Sequence, residues 1–479
     1  MWNEMYGALP LFLISAAAIG AMLLDALMKN SKQATFVFST IALAVIAVAA
    51  VVVFPVNGLA FNNMISTGGY GSFFDVLFAL GGIMTMLSAH PYLERNEFEF
   101  DEFYCMVLFA VSGMMLIAHA NNLLIVFIGI EVMSVSFYVL SGYLRNTLMS
   151  VEAALKYFLL GAFATGFLLY GMALIYGSTG SLEFGAIAET AKAGAEFPML
   201  LLVGVGLLII GLSFKVAAFP FHQWVPDVYQ GAPTVVTAFM STAGKAAAFS
   251  AFIPIIAALM PANAPKIQLL LAVIAAASML FGNISAVAQT NVKRMLAYSS
   301  VAHAGYIMMG LVADSPRGMS GMMYYLAAYL FMQIGGFVVV SVLETKAGKN
   351  LEIRDYIGLS KSHPVLAALM AIFMFSLAGI PPFAGFFGKY YLFTAAIESG
   401  FTWLTIVGVI SSVISVYFYI GLVVAMYFRE PEGQEISEAP AGLAGITLLV
   451  ATVGVFVIGL LPIIIANITD SLRLVGLAF

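Results

Sequence analysis

Apolar residues run along this chain in stretches of about 20 separated by short polar breaks, the length that crosses a hydrocarbon layer as a helix. Fourteen such stretches can be cut, near 5–28, 33–54, 72–91, 103–119, 122–143, 152–176, 197–228, 234–258, 267–288, 293–312, 319–343, 365–398, 402–428 and 441–466. Two of them, 197–228 and 365–398, are too long for a layer of about 30 Å at 1.5 Å per residue. Both carry helix breakers: Pro220 and Pro226 in the first, and "GIPPFAGFFGK", with Pro381, Pro382, Gly385 and Gly388, in the second. Proline removes an intrahelical hydrogen bond and clashes with the preceding turn, so each helix is predicted to break inside the membrane. Irregular backbone at that depth is tolerated only where it is buried in protein or lines a wet cavity. The pattern predicts an all-α polytopic membrane protein of about 14 transmembrane helices, two of them discontinuous.

Composition agrees with the pattern. With 62% hydrophobic and 9% charged residues, the chain is no water-soluble globule, for which about 25% charged residues is usual. A net charge of -5 without a basic cluster argues against nucleic acid. The single cysteine, Cys105, excludes an intrachain disulfide and an iron–sulfur cluster held by this chain alone. The five histidines (His90, His119, His222, His303, His363) show no metal spacing.

Basic residues sort by loop parity. Odd-numbered loops hold twelve (Lys29, Lys32, Arg95, Arg145, Lys156, Lys293, Arg294, Lys346, Lys349, Arg354, Lys361, Arg429), and even-numbered loops with the C-terminal tail hold four (Lys192, Lys266, Arg317, Arg473). By the positive-inside rule both termini are expected outside the cytoplasm.

The remaining three basic residues, Lys215, Lys245 and Lys389, lie inside spans. A lysine at the centre of a bilayer helix costs roughly 2.5–3.5 kcal/mol on insertion scales, so it either snorkels or serves a function. Lys215 could snorkel if its helix ended at Phe219, but the broken continuation through Tyr229 argues against that. Glu131 lies about ten residues into its span, and Lys245 about twelve, among small residues that also suit tight helix packing. For His303, a satisfied core histidine is the lesser alternative to a functional one. The Gly-Lys pairs at 244–245 and 388–389 lack the earlier glycine of a phosphate loop, and no nucleotide site is legible.

Spacing adds an internal repeat. Lys389 follows Lys215 by 174 residues and His303 follows Glu131 by 172, so a shift of about 173 lays spans four to eight on nine to thirteen. Five spans per unit is odd, so the units are expected to be inverted, as in many transporters. The division expected is a three-helix segment at 1–100, repeats at 101–260 and 261–430, and a C-terminal span at 431–479.

Four stretches carry a family resemblance: "RNTLMSVEAALKYFLLGAFATGFLLYGMALIYGSTGS", "FKVAAFPFHQWVPDVYQGAPTVVTAFMSTAGKAAAF", "NVKRMLAYSSVAHAGY" and "GIPPFAGFFGKYYLF". Together they resemble the subunit N family of bacterial NADH:quinone oxidoreductase, respiratory complex I, across essentially the whole chain. The wider group of antiporter-like subunits includes the L and M types and subunits of multisubunit sodium/proton exchangers. The M type has glutamate where Lys389 stands, and "PDVYQGAPT" with "EAALKYFLLGA" is closest to the N type. Val235 departs from the family, which usually has proline there.

The resemblance implies a proton-translocating membrane subunit driven by redox chemistry elsewhere. The relay expected runs from Lys215 through Lys245 and the neighbourhood of His303 to Lys389. Glu131 would switch Lys215, since a pair of opposite charges 4 Å apart is worth about 4 kcal/mol at an effective dielectric near 20. NAD, flavin, iron–sulfur clusters and quinone would sit on partner subunits, with no cofactor on this chain. The expected partners are other membrane subunits, especially neighbouring antiporter-like and small quinone-proximal ones, in a bacterial cytoplasmic (inner) membrane. A sodium/proton exchanger subunit and a purely structural membrane spacer are the competing readings.

Overall fold

The computed structural model describes residues 2–28, 31–97, 102–193, 199–344, 351–430 and 441–474. Lys29, Lys346 and Lys349 lie outside them.

Helices dominate. The N-terminal part holds α1 (Trp2–Gly7), α2 (Leu9–Leu27), α3 (Lys32–Val53), a short hairpin of β1 (Gly58–Ala60) and β2 (Ile65–Thr67), and α4 (Gly69–Arg95). Next come α5 (Glu102–His119), α6 (Leu123–Ser141), α7 (Leu148–Thr179), α8 (Phe184–Ala193), α9 (Met199–Val216), α10 (Val225–Gly231) and α11 (Thr234–Phe239). A π-helical turn, Met240–Gly244, leads into α12 (Lys245–Val287), followed by α13 (Val292–Ala313) and α14 (Pro316–Leu343). The chain closes with α15 (Leu359–Ser362), α16 (Pro364–Ala378), α17 (Ala384–Glu398), α18 (Thr402–Phe428), α19 (Ala444–Leu460) and α20 (Pro462–Ser471).

Among the described residues, 12 helices are long and apolar enough to cross a membrane, or 13 if α19 and α20, bent by 80°, form one span. That bend falls at Pro462, where a continuous final span was expected. The span Thr234–Leu259 is 100% buried, and Val292–Ala313 and Pro316–Leu343 are 94% buried, against 28% for α2. Three helices therefore form a core that the others wrap.

Loop contacts segregate by parity. At one end Arg95 donates to the carbonyls of Ser341 (2.5 Å) and Val342 (3.0 Å), Lys293 to that of Ala232 (2.7 Å), and Lys361 to Glu430 (3.1 Å). These are odd-numbered loops. At the other end the hairpin bridges Ala120 through Ile65, Asn122 bridges Glu183, Ser399 donates to the Ala313 carbonyl (2.7 Å) and Ser320 to Asp470 (2.5 Å). Those loops are even-numbered, so the helices alternate as the sequence pattern requires.

Both over-long apolar runs are interrupted, and their breaks share one set of bonds. After α9 the amide of Ala217 donates to Phe214 O (3.1 Å), Ala218 to Ser213 O (2.8 Å), and Phe221 to Ala218 O (2.8 Å). After α16 the same bonds recur 162 residues on: Gly379 to Ser376 O (3.0 Å), Ile380 to Phe375 O (3.0 Å), and Phe383 to Ile380 O (3.1 Å). This is a helix end closed by a left-handed residue, Ala217 (φ 66) or Gly379 (φ 85). A second recurrence joins Leu123 N to Leu182 O (2.9 Å) at the even end and, 169 residues on, Val292 N to Leu351 O (2.8 Å) at the odd end. The backbone offsets are thus 169 and 162, and the shift of about 173 drawn from the ionisable residues does not align the backbone. Leu377, not Lys389, stands where Lys215 stands in the first break.

Candidate functional site

Lys215 occupies the last turn of α9, beside the break, and is 7% exposed. Its ammonium donates to Ser134 Oγ of α6 at 2.8 Å and lies 6.0 Å from the Tyr138 ring centroid. Glu131, one turn before Ser134 on the same helix face, is half-buried and accepts from Thr165 Oγ1 at 2.8 Å. Glu131 and Lys215 make no ion pair within 4.0 Å; Ser134 holds the lysine instead. The direct pairing expected from sequence is replaced by two separate hydroxyl contacts.

Lys245 begins α12 directly after the π-helical turn and is 2% exposed. It donates to the Ser300 carbonyl and to Ser300 Oγ (2.6 Å), with the Tyr329 ring 5.6 Å from its nitrogen. π-Turns inside α-helices recur at functional sites, and nothing in the local sequence announces this one.

His303 of α13 lies between two tyrosine hydroxyls, Tyr325 on Nδ1 (2.6 Å) and Tyr419 on Nε2 (3.0 Å). The Tyr419 hydroxyl also bonds Ser299. Around the imidazole stand the rings of Tyr329 (5.0 Å between centroids) and Tyr306 (5.8 Å).

Lys389 lies on α17, beyond the second break. Its three N–H groups meet three acceptors: Ala378 O (3.0 Å), Leu377 O (3.3 Å) and Ser412 Oγ (2.8 Å). The two carbonyls belong to the last turn of α16, where backbone oxygens lack helical partners and the helix dipole favours a cation. The Tyr306 ring is 4.8 Å from the ammonium nitrogen, and the Tyr306 hydroxyl accepts from Asn283 (3.1 Å).

Two tyrosine rings therefore bridge the buried cluster: Tyr329 touches Lys245 and His303, and Tyr306 touches His303 and Lys389. No hydrogen-bonded side chain joins Lys215 to Lys245 among the described residues. Gln333, one turn after Tyr329, is fully buried with both amide atoms unpaired there.

Sequence reasoning missed Ser134, Thr165, Ser300, Ser412 and the tyrosines. The repeat of Tyr325 and Tyr329 at i, i+4 in "YYLAAY" was the available signal, as was Ser134 at i+3 from Glu131. It also placed Lys156 in a loop. Lys156 stands in α7, and with Arg294 it shares the Asp227 carboxylate just past the first break, at 2.8 and 2.7 Å.

Residues 120–415 match the family model described as NADH:quinone oxidoreductase/Mrp antiporter, TM. NADH-quinone oxidoreductase subunit N 1 of Chloroherpeton thalassium is 43% identical over 473 residues, covering 98% of each chain. Subunit N of Trichlorobacter lovleyi is 44% identical, covering 86% of this chain and 85% of that one. A chain of respiratory complex I from Thermus thermophilus with bound Aureothin superposes with a TM-score of 0.83 at 34% identity, covering 96% of this chain and 98% of that one. A chain of the Mrp complex from Dietzia sp. DQ12-45-1b gives 0.86 at 21% identity, covering 97% and 96%, and shares the fold. The chain belongs to the NADH:quinone oxidoreductase/Mrp antiporter membrane-subunit family, within its NADH-quinone oxidoreductase subunit N branch.

Proposed function

We propose that this chain is a proton-translocating membrane subunit of an NADH:quinone oxidoreductase, and that Lys215, Lys245, His303 and Lys389 carry protons along the bundle core with Glu131 setting the state of Lys215. The observation that carries the reading is the run Lys245–Tyr329–His303–Tyr306–Lys389: three titratable groups in a buried core, spaced by two tyrosine rings at 4.8 to 5.8 Å from the groups they separate. Buried ionisable side chains in a membrane mark ion pathways far more often than they serve packing. Water at the two breaks would complete the hops between hydroxyls.

Oxidation of NADH and reduction of quinone, with flavin and iron–sulfur clusters, belong in this reading to partner subunits. The neighbours are other antiporter-like and small quinone-proximal membrane subunits. Fourteen crossings, in two inverted five-helix units at 101–260 and 261–430, with both termini on the non-cytoplasmic face of a bacterial cytoplasmic membrane, fit the parity of the loops. The inverted arrangement is supported by the same loop bond occurring once at each end of the bundle, 169 residues apart.

The likeness to the Mrp complex chain favours a second reading, a subunit of a multisubunit sodium/proton antiporter, which would not co-purify with flavin- and quinone-bearing subunits. The test of the first reading is Lys245→Ala in the assembled complex. Proton pumping and coupled quinone reduction should fall at least tenfold while assembly persists. Full pumping in that variant would leave the core lysines a structural role.

A further inference from the structure

Outside the lysine path, α4 and α5 bury a second titratable pair. His119, the last residue of α5, and Asp75, in the second turn of α4, are both 0% exposed. The imidazole sits on Gly71, where a Cβ would fall 2.4 Å from the ring, so the backbone of α4 is shaped to admit it. On one side, Nδ1 lies 2.7 Å from the Ser66 carbonyl of the hairpin. On the other, Nε2 lies 2.8 Å from Asp75 Oδ2.

Hydrogen bookkeeping follows from those two contacts. A carbonyl only accepts, so Nδ1 carries a hydrogen. The Nε2–Oδ2 contact then sets two acceptors against each other unless a further hydrogen lies between them. The pair therefore holds one exchangeable proton, and its loss leaves a nitrogen lone pair against a carboxylate oxygen in a buried site.

A small cavity lies beside the hairpin and the end of α5, next to the residues that hold the imidazole. This cavity of about 20 Å³, room for one water, is lined by Ser66, Tyr70, Ala118, Ala120 and, at the even-loop end, Arg473. The Ser66 carbonyl of the hairpin meets the imidazole, Ser72 stands one turn before Asp75 on α4, and Tyr70, also on α4, donates to the Ser250 carbonyl of α12. Among the described residues Asp75 Oδ1 and Ser72 Oγ are buried without partners. Asp75 and His119 are each other's charged partner, with Arg473 the cation lining the cavity.

The same residues fasten three elements together. Ile65 bridges Ala120, Asn121 N donates to Met64 O (3.0 Å), and α6, which carries Glu131 and Ser134, starts at Leu123. We propose that Asp75 and His119 form a proton-binding site that exchanges with the even-loop face and, when protonated, clasps the hairpin and the α5–α6 junction to α4. On deprotonation the proton leaves to water, the Nε2–Oδ2 contact becomes repulsive, and the clasp opens. The site stands independently of the lysine relay.

The test is nitrogen NMR on the complex in liposomes, labelled with ¹⁵N-histidine, with the His119 signals assigned by their loss in His119→Gln. At neutral pH, Nε2 should show a shared hydrogen. Raising pH on the even-loop face alone should remove it, and hydrogen exchange at the hairpin amides 64–67 should then speed about tenfold, as for local opening. Asp75→Asn keeps a hydrogen-bonding side chain of the same size but should lose the shared hydrogen already at neutral pH. An Nε2 signal that ignores pH, or follows only the odd-loop face, overturns the site; exchange that stays slow as Nε2 loses its hydrogen overturns the clasp. The titration of the native complex decides the matter even if Asp75→Asn does not assemble. None of these readouts depends on pumping.

Discussion

At the first break the left-handed residue is Ala217, and Lys215 lies two residues before it; at the second it is Gly379, and Lys389 lies ten residues after it. Three backbone bonds recur at the two breaks, yet the lysines sit differently against them. Lys389 reaches back to cap the broken end of α16, and all three of its donors are met. Lys215 is part of the broken end of α9, and among the described residues its one hydrogen bond goes sideways to Ser134. One lysine is anchored by backbone that cannot move without unmaking the break. The other hangs on a single hydroxyl, with the Glu131 carboxylate one turn away on the same helix. A charge held by one replaceable partner is the one that can change partners.

The largest effect that separates the two breaks is expected from Gly379→Ala. The added methyl would lie 3.1 Å from Lys389 Cδ and 3.2 Å from its Nζ, on a backbone of φ 85 that alanine adopts at a cost of about 1–2 kcal/mol. Pumping should drop severely and the complex should melt earlier. A variant with parental pumping would show that Lys389 is not tied to the break.

Next in size, Ser134→Ala should impair pumping more than Ser412→Ala. The first removes the one hydrogen-bond partner that Lys215 has among the described residues, whereas the second leaves Lys389 two carbonyls. Initial rates of proton uptake in vesicles measure both, and equal losses would erase the distinction between a movable and an anchored lysine.

The smallest effect is expected from Ala217→Gly. Relieving a left-handed alanine should raise stability by about 1 kcal/mol, read from thermal unfolding, with pumping unchanged. Destabilisation would mean that the Ala217 methyl, which is buried, contributes more packing than its backbone costs.

Much of this was legible beforehand, for reasons that can be named. Prolines within apolar runs too long for the bilayer marked both breaks, and a charge in an apolar stretch is conspicuous because the membrane penalises it. Ser134, Ser300 and Ser412 were not legible, since a lone serine in an apolar helix bonds its own backbone as readily as a neighbour's side chain. Nor could sequence tell that Lys215 would bond Ser134 while Glu131 takes Thr165: both partners were found, but their distance depends on how α6, α7 and α9 rotate against one another. The offsets of 162 and 169 between recurring backbone bonds escaped for a related reason. Lys215 and Lys389 stand at different places relative to the two breaks, so spacing measured between lysines does not match spacing measured between backbone bonds.

The central claim is that Lys215 accepts and releases a proton, and Lys215→Arg tests it most directly. Arginine keeps the positive charge and can still donate to Ser134, but it does not release a proton at physiological pH. In a fully assembled complex of native stability, the account predicts that this variant loses proton pumping and coupled quinone reduction. Pumping at the parental rate would contradict it and leave Lys215 an electrostatic role alone.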